Sequence, residues 1–356
     1  MELHLDFETR SRLDLRKHGV YRYAFHPSTE ILWVAWAKDD DPVRRSYVPL
    51  DGFPDEIADF ARNGGLLVAH NAAFERLVLA GTQNIVIPIE AWHCTAFMAR
   101  ANNIPGALFD AARSMGIKQQ KDRSGRNLIG MLSVPQKDGT FNEDPELMEA
   151  FGRYCAQDVE AERNLHHTLR NPSPVEWEDY HVSEYINDRG IPVDRLMAES
   201  ACRFATQEQE ELRQLIEDVT GGRVTKVRGE GLKNWVVSQL TEEQLEMITT
   251  RKGKVSLNLE ARRRLLDCDD IDPVVADVLE YSTFAQKTAG GKFQAMLDRM
   301  AKDDRVRGAF IGNGAHSGRF TSWGFQAHNL PRECMKHPEA VRTDMVRLNG
   351  AAVSYT

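Results

Sequence analysis

The sequence predicts an α/β domain of layered architecture, followed by a mainly helical region. Strand and helix patterns alternate up to about residue 170, whereas only helical patterns follow a proline-containing break. Elements that alternate in this way bury their strands against helical layers. The 356 residues also exceed the size of about 150 residues that one domain typically has. We therefore expect two domains, at 1–170 and 171–356.

Period-two alternation identifies the first strand. Within Glu2–Glu8 the apolar residues Leu3, Leu5 and Phe7 alternate with polar ones, so the two sets point to opposite faces of a strand. Short apolar runs rich in Val, Leu, Ile and Trp predict the other strands. These strands are expected at 31–36, 46–48 and 66–69.

Helical spacing of apolar residues predicts the elements between and after these strands. The last helix before the break is the longest, with apolar residues at 151, 154, 155, 159 and 165. The expected helices lie near 53–62, from about residue 72, at 109–115 and at 147–169.

The clearest break in the chain is Asn171–Pro174, where two prolines stand at i and i+2 and cannot share a helix interior. An amphipathic helix over about 204–219 follows, and Gly221–Gly222 should end it. Further helices are predicted at 232–240, 259–266 and 274–284.

Composition narrows the class of protein. Hydrophobic residues make up 42% and charged residues 28%, which is typical of a globular chain and excludes collagen-like or disordered classes. A net charge of −8 excludes a generally basic nucleic-acid coat, but not an enzyme with a local basic track. The five cysteines show no CxxC spacing, so they predict neither a structural zinc site nor a disulfide framework and favour a reducing cytoplasm. No run approaches the ~18 apolar residues of a membrane span, and the first residues have no signal-peptide pattern.

Asp6 and Glu8 are the first candidate functional residues. Residues i and i+2 of a strand point the same way, so both carboxylates leave one face. Two adjacent anions raise each other's pKa unless a cation lies between them. This motif alone allows two interpretations: a solvent-facing strand, or a bridge to a divalent metal ion.

Two later motifs carry similar residues. Glu75 follows the strand at 66–69 into a helix, the position at which α/β sheets often place active groups. Tyr154 and Asp158 are i and i+4 on a predicted helix, so they project from one face. Each motif alone is equally consistent with ordinary helix packing and solvation.

Taken together, DFET, AHNAAFE and YCAQD resemble the motifs of the DEDDy branch of the 3'-5' exonucleases, whose fold is RNase H-like. The resemblance implies that Asp6, Glu8 and Asp158 are metal ligands and that Tyr154 orients the attacking water. Glu75 stands where the family carries Asp; it keeps the charge, and we place it at the same metal site.

The resemblance further implies hydrolysis of a phosphodiester with two divalent ions, which clamp the attacking and leaving oxygens. Four carboxylates and no thiolate suit Mg²⁺, and Mn²⁺ also takes oxygen ligands. A phenol of pKa ~10 is a poor base at neutral pH, so Tyr154 is expected to position the water. The residues expected to contact the terminal nucleotide are Thr9, Asn71 and Phe74.

Further segments resemble the phage branch of family A DNA polymerases, so the likeness covers nearly the whole chain. It implies that 1–170 is an RNase H-like exonuclease domain with a mixed sheet and flanking helices. It also implies that 171–356 is a thumb-like helical region with a truncated palm segment. The segments lie at 92–95, 104–108, 121–125, 186–194, 278–281, 286–288, 314–322 and 326–332.

A local basic track lies between Arg305 and Arg332, which contains four arginines and no Asp or Glu. Such a track suits DNA phosphates, and Arg319 and Arg332 are expected to contact DNA. A basic surface loop is the alternative. Trp323 and Phe325 could stack on bases or pack in a core.

The expected function is Mg²⁺-dependent 3'-5' exonuclease activity on single-stranded or frayed DNA ends, releasing nucleoside monophosphates. No string resembles the catalytic palm motifs of a polymerase. DNA synthesis should therefore need a second polypeptide with palm and fingers, unless the gene is truncated. The resemblance implies a phage or prophage protein in the bacterial cytoplasm. The alternatives are a 3'-5' exoribonuclease, a DNA-binding subunit with a silent exonuclease site, and a degenerate gene product.

Overall fold

The computed structural model describes residues 1–117, 123–250, 253–286, 289–329 and 337–348. The chain divides into two compact units, and each consists of two separate segments. The first unit comprises Met1–Val193 and Asp298–Arg332, and the second comprises Asp194–Leu297 and Glu333–Thr356.

A five-stranded mixed sheet organises the first unit. Its strands are β1 (Glu2–Arg10), β2 (Glu30–Lys38), β3 (Arg44–Tyr47), β4 (Leu66–Ala69) and β5 (Trp92–Cys94), in the order β3-β2-β1-β4-β5. β1 pairs antiparallel with β2 and parallel with β4. The four predicted strands are confirmed, whereas β5 was not predicted because three residues are too short to show a period.

Nine α-helices accompany this sheet in the described part of the first unit. The predicted helices near 53–62, after residue 72, at 109–115 and at 147–169 are confirmed within a few residues. The helices are α1 (Leu15–Ala24), α2 (Val48–Asp51), α3 (Asp55–Arg62), α4 (Ala73–Gln83), α5 (Thr95–Ala101), α6 (Leu108–Ser114), α7 (Arg123–Leu128), α8 (Pro145–Thr168) and α9 (Pro174–Arg189), with single turns of other helix types at Ile89–Ala91 and Ile129–Ser133.

Both faces of β1 and β2 are covered. Leu5 and Phe7 belong to one apolar core, while Phe151 and Val159 of α8 belong to a second core with residues of β2. The polar face of β1 therefore does not face solvent, and His4 is fully buried beneath α8. The interpretation of Asp6 and Glu8 as a solvent-facing strand was wrong, because α8 lies over that face.

The first unit extends beyond the boundary expected at residue 170. Trp177 and Tyr180 of α9 pack in the core of this unit. The next strand, β6 (Ile191–Pro192), pairs antiparallel with β7 (Arg305–Val306). Burial of α9 and this strand pairing thus place 171–193 and the segment from residue 298 with the sheet. The remaining strands, β8 (Phe310–Ile311) and β9 (Thr321–Ser322), pair antiparallel, and a 3₁₀ turn follows at Ala327–Asn329.

The second unit is mainly helical, as predicted. Its core includes Ile216, Val236, Leu265 and Val278, and α10 ends before Gly221, whose φ of 59° is the left-handed region that favours glycine. No helix within the described ranges is both long and apolar enough to cross a membrane. The helices of this part of the chain are α10 (Arg195–Val219), α11 (Glu230–Gln239), α12 (Glu242–Met247), α13 (Leu259–Leu266), α14 (Pro273–Gln286), α15 (Ala289–Arg299) and α16 (Pro338–Leu348).

Candidate functional site

Three carboxylates meet where α8 lies over β1. Asp6 and Glu8 leave the same face of the strand, and Asp158 projects toward them from the helix. One carboxylate oxygen of each residue lies within 4.8 Å of those of the other two. The structure therefore brings together three of the four predicted metal ligands, and we call Asp6, Glu8 and Asp158 the carboxylate cluster.

The carboxylate cluster is electrostatically unfavourable without a cation. Burial raises the pKa values of Asp6 and Glu8 well above their ordinary range, and repulsion from Asp158 raises both further. Burial also raises the pKa of Asp158 to about 6, although a hydrogen bond from Tyr154 acts in the opposite direction. A divalent cation would favour the charged forms, and the all-oxygen donor set is the one that Mg²⁺ prefers. The residues present thus fit a magnesium site.

Glu75 lies beside this cluster in the first turn of α4. Its side chain is 3% exposed, and its Oε2 atom has no hydrogen-bond partner. Burial raises the pKa of Glu75, as does the charge of Asp6, while Glu75 in turn raises the pKa of Glu8. The structure therefore places Glu75 in electrostatic contact with the cluster, but outside the group whose oxygens all lie within 4.8 Å.

Tyr154 lies one helical turn before Asp158 and donates a hydrogen bond to it. Burial, followed by the charges of Asp158 and Glu8, raises the pKa of the Tyr154 phenol. The ring lies so close to α7 that a Cβ built on Gly125 would be 2.2 Å from its Cε2 atom. The absence of a side chain at Gly125 thus lets the tyrosine approach α7, a role that the sequence did not reveal.

The residues predicted to bind substrate are divided between this cluster and a neighbouring cavity. Thr9 is buried, and its hydroxyl lies 2.8 Å from that of Tyr23. Asn71 has a φ of 72° in the turn between β4 and α4, where its carbonyl accepts a hydrogen bond from the amide of Phe74. Asn71 and Phe74 line the cavity, whereas Thr9 does not.

This cavity has a volume of about 380 Å³ and lies entirely within the first unit. Trp323, which is 61% exposed, contributes to its wall. Aromatic and basic side chains line it together with apolar side chains and the acidic Glu184. Its arginines are Arg16, Arg100, Arg299 and Arg307, of which only the last belongs to the predicted basic track.

Neither of the two arginines predicted to contact DNA is among the described residues that line the cavity. Arg319 is exposed in the segment between β8 and β9 and is not among the described cavity residues. Arg332 lies outside the described residues. Of the two aromatic residues, Phe325 is buried and packs in the fold, while Trp323 is exposed.

Sequence reasoning missed Glu162, which is 2% exposed. Its carboxylate lies 2.8 Å from Nδ1 of His4, and its charge raises the pKa values of Asp6 and Glu75. The sequence spacing could have indicated Glu162, since it stands four residues after Asp158 and so lies on the same face of α8.

Comparison with known proteins identifies a relative for nearly the whole chain. The chain is 32% identical over 354 residues to a DNA polymerase of Bacillus phage SP02, with 96% of this chain and 53% of that protein covered. No protein-family model matches the chain. Among solved structures, the POL domain of Pol1 from M. smegmatis, in complex with DNA primer-template and dNTP, has a TM-score of 0.54 at 16% identity. That match covers 99% of this chain and 55% of the solved chain, and at this identity it indicates a similar fold alone.

The chain thus spans about half the length of the curated relative it matches. The predicted resemblance to a phage DNA polymerase is confirmed, and the chain is similar in sequence to part of such a polymerase.

Proposed function

We propose that this chain removes nucleoside monophosphates from the 3' end of DNA by hydrolysis that depends on two divalent cations. The observation that carries the proposal is the partly buried, all-oxygen cluster of Asp6, Glu8 and Asp158. Similarity to a phage DNA polymerase supports DNA as the substrate. On this proposal the first unit contains an RNase H-like 3'-5' exonuclease.

The proposed ligands of the cations are the carboxylate cluster and Glu75. Mg²⁺ is the expected cation, and Mn²⁺ could replace it because it takes the same oxygen donors. When bound, two cations about 3.5–4 Å apart stabilise the attacking and leaving oxygens of the phosphodiester. The unpartnered Oε2 of Glu75 supports its inclusion, since a buried carboxylate oxygen without a partner is costly.

Tyr154 is proposed to orient the attacking water. Its raised pKa keeps the phenol protonated at neutral pH, so it cannot act as the base, and its oxygen can accept a hydrogen bond from the water. The carboxylate of Asp158 already accepts a hydrogen bond from this hydroxyl. The pair therefore fixes where a water can lie at the edge of the cluster.

The terminal nucleotide is proposed to lie between the carboxylate cluster and the cavity. Asn71 and Phe74 line that cavity, and they stand four residues and one residue before Glu75 in sequence. Phe74 offers a ring on which a base can stack, and the cavity arginines can contact phosphates. Thr9, which lies on β1, would then position the 3' end of the DNA.

The second unit is proposed to be thumb-like. Arg319 and Arg332, on the basic track of the first unit, are proposed to contact DNA. A second polypeptide carrying palm and fingers is proposed to contact this region. The exposed rings of Phe320 and Trp323 support such a contact, because exposed apolar groups favour association. The proposed setting is the cytoplasm of a bacterium that carries the phage.

The test is digestion of 5'-labelled single-stranded DNA by the purified chain, with and without Mg²⁺. A metal-dependent ladder that shortens from the 3' end is expected, and it should be absent from the Asp6→Ala/Glu8→Ala double variant. Faster digestion of a matched RNA would instead favour an exoribonuclease. A folded chain that digests neither substrate would contradict the proposal.

A second candidate function is a DNA-binding subunit whose exonuclease site is silent. The position of Glu75 outside the closest group of carboxylates favours this candidate. In the same assay, an inactive wild type that gains activity on Glu75→Asp would support it. An active wild type would exclude it.

A further inference from the structure

A second cluster of potential ligands lies at another part of the contact between β1 and α8. It consists of Glu2 and His4 from the strand and His166 and His167 from the helix, and we call it the histidine cluster. One ligand atom of each residue lies within 4.8 Å of those of the other three. We propose that the histidine cluster binds a divalent transition-metal cation, most favourably Zn²⁺, and that this cation ties the first strand to α8.

The distances within the histidine cluster fit this cation. Oε2 of Glu2 lies 3.9 Å from Nε2 of His4 and 3.6 Å from Nδ1 of His166. Tetrahedral zinc with bonds of about 2.0–2.1 Å separates its ligand atoms by about 3.4 Å. Side-chain movements of about half an ångström would therefore complete these edges of the tetrahedron.

Two ring nitrogens that face the cluster have no hydrogen-bond partner. His4 is 0% exposed, and its Nε2 atom is unpartnered. Nδ1 of His166 is also unpartnered, in a side chain that is 10% exposed. Buried polar atoms without partners are destabilising, and a bound cation would give both nitrogens the partner they lack.

Glu162 prepares His4 for this role. Its Oε2 atom lies 2.8 Å from Nδ1 of His4. Because a carboxylate accepts, Nδ1 carries the proton and the lone pair remains on Nε2, which faces Glu2. A metal-binding histidine typically donates its second N–H to a carboxylate in this way.

The donor set indicates the class of cation. Imidazole suits zinc and its neighbours in the first transition row, whereas Mg²⁺ and Ca²⁺ prefer oxygen alone. Four protein ligands are the number found in structural zinc sites. Cysteine spacing gave no sign of zinc because no thiolate takes part. The proposal does not depend on the exonuclease activity.

The test measures zinc binding in the full chain carrying Asp6→Asn and Glu8→Gln, so that the carboxylate cluster does not compete. Metal-free protein is titrated with Zn²⁺ in competition with a chromophoric chelator, and the bound metal is counted by elemental analysis. One Zn²⁺ per chain is expected. Co²⁺ bound at the same site should show the visible ligand-field absorption typical of tetrahedral coordination.

Three variants in this background test the assignment. Glu2→Gln and His167→Gln change ligands that are not fully buried, so the fold should persist. Each is expected to weaken Zn²⁺ binding at least tenfold. Glu162→Gln should weaken it by about 10–100-fold, the effect typical of losing a carboxylate behind a histidine ligand. The control His316→Gln, at an exposed histidine elsewhere, should leave the affinity unchanged.

Unchanged affinity in both Glu2→Gln and His167→Gln would overturn the proposal, as would a background protein that binds no Zn²⁺. A tenfold loss in either variant, with none in the His316→Gln control, would support it.

Discussion

The contact between β1 and α8 carries two clusters of side chains that differ in the atoms they offer to a cation. The carboxylate cluster offers only oxygen, and the histidine cluster offers mainly nitrogen. Alternate residues share a face of the strand, so both clusters draw on the same side of β1. On the helix, Asp158 and His166 share a face at a spacing of eight residues, and His167 is next to His166. The two proposed sites therefore differ in the residue types that they offer to a cation.

The two clusters also differ in the way that the absence of a cation destabilises them. In the carboxylate cluster burial raises the pKa values of all three members, and repulsion between neighbours raises those of Asp6 and Glu8 further. In the histidine cluster the cost lies in nitrogen atoms without hydrogen bonds. Removing metal should therefore make the first cluster take up protons, and it should leave the second with unsatisfied nitrogens.

The largest expected effect follows from neutralising the carboxylate cluster. Asp6→Asn with Glu8→Gln should abolish hydrolysis, because the expected cations lose two ligands. In the absence of metal, the same change should raise the melting temperature, since buried charge repulsion is removed. Calorimetry in chelator and the digestion assay measure the two effects. A double variant with wild-type activity would contradict the two-cation proposal.

A smaller effect is expected from Tyr154→Phe. Removing the hydroxyl should slow hydrolysis by about 10²-fold, at the low end of the range for groups that assist proton transfer, because the phenol only positions the water. Single-turnover rates at saturating DNA measure this step. Tyr185→Phe is the matched control, since that exposed hydroxyl donates to Glu90 on the surface. Equal rates for Tyr154→Phe and the control would remove Tyr154 from the mechanism.

Gly125→Ala should reproduce part of the Tyr154 effect. The new Cβ would lie 2.2 Å from the tyrosine ring, so either the ring or α7 must shift, which disturbs the placement of the hydroxyl beside Asp158. A loss of about tenfold in the single-turnover rate is expected, less than for removing the hydroxyl. Gly130→Ala is the control, because a Cβ there meets nothing within 4 Å. Similar rates in both variants would mean that Tyr154 needs no support from α7.

A separate effect, on stability rather than on rate, is a pH dependence in the metal-free protein. Because the folded state raises the pKa of Asp158 from 3.8 to about 6, the folded protein binds this proton more tightly than the unfolded chain. Stability from this group is therefore present below pH 4 and lost as the pH rises through about 6, amounting to about 3 kcal/mol.

The measurement is the free energy of unfolding from pH 4 to 7 in chelator, for wild type and Asp158→Asn. As the pH rises, the free energy of unfolding of Asp158→Asn should increase relative to that of the wild type. Saturating Mg²⁺ should remove this relative increase. A difference between the two proteins that stays constant with pH would contradict the raised pKa.

Regular periods account for the elements that could be predicted from the sequence: alternation placed β1, and helical spacing placed α8. The assignment of Asp6, Glu8 and Asp158 to one site came instead from the resemblance of their motifs to the exonuclease family. The burial of His4 could not be predicted, because it depends on which face of the sheet α8 covers. The grouping of α9 with the first unit depends on packing of Trp177 and Tyr180, and a local proline signal cannot report such packing.

The cavity was also beyond sequence reasoning. Arg100 and Arg299 lie almost 200 residues apart and line the same cavity, and no local pattern connects them. That Gly125 lets Tyr154 approach α7 is visible only from the packing of the tyrosine ring against it. These contacts join distant segments, whereas sequence periods describe single elements.

The most direct measurement compares 3'-end shortening of DNA by wild type, Asp158→Asn and His167→Gln in Mg²⁺. If hydrolysis belongs to the carboxylate cluster, Asp158→Asn should be inactive while His167→Gln digests DNA at the wild-type rate. An Asp158→Asn variant as active as wild type, or an equal loss in both variants, would contradict the assignment of hydrolysis to the carboxylate cluster.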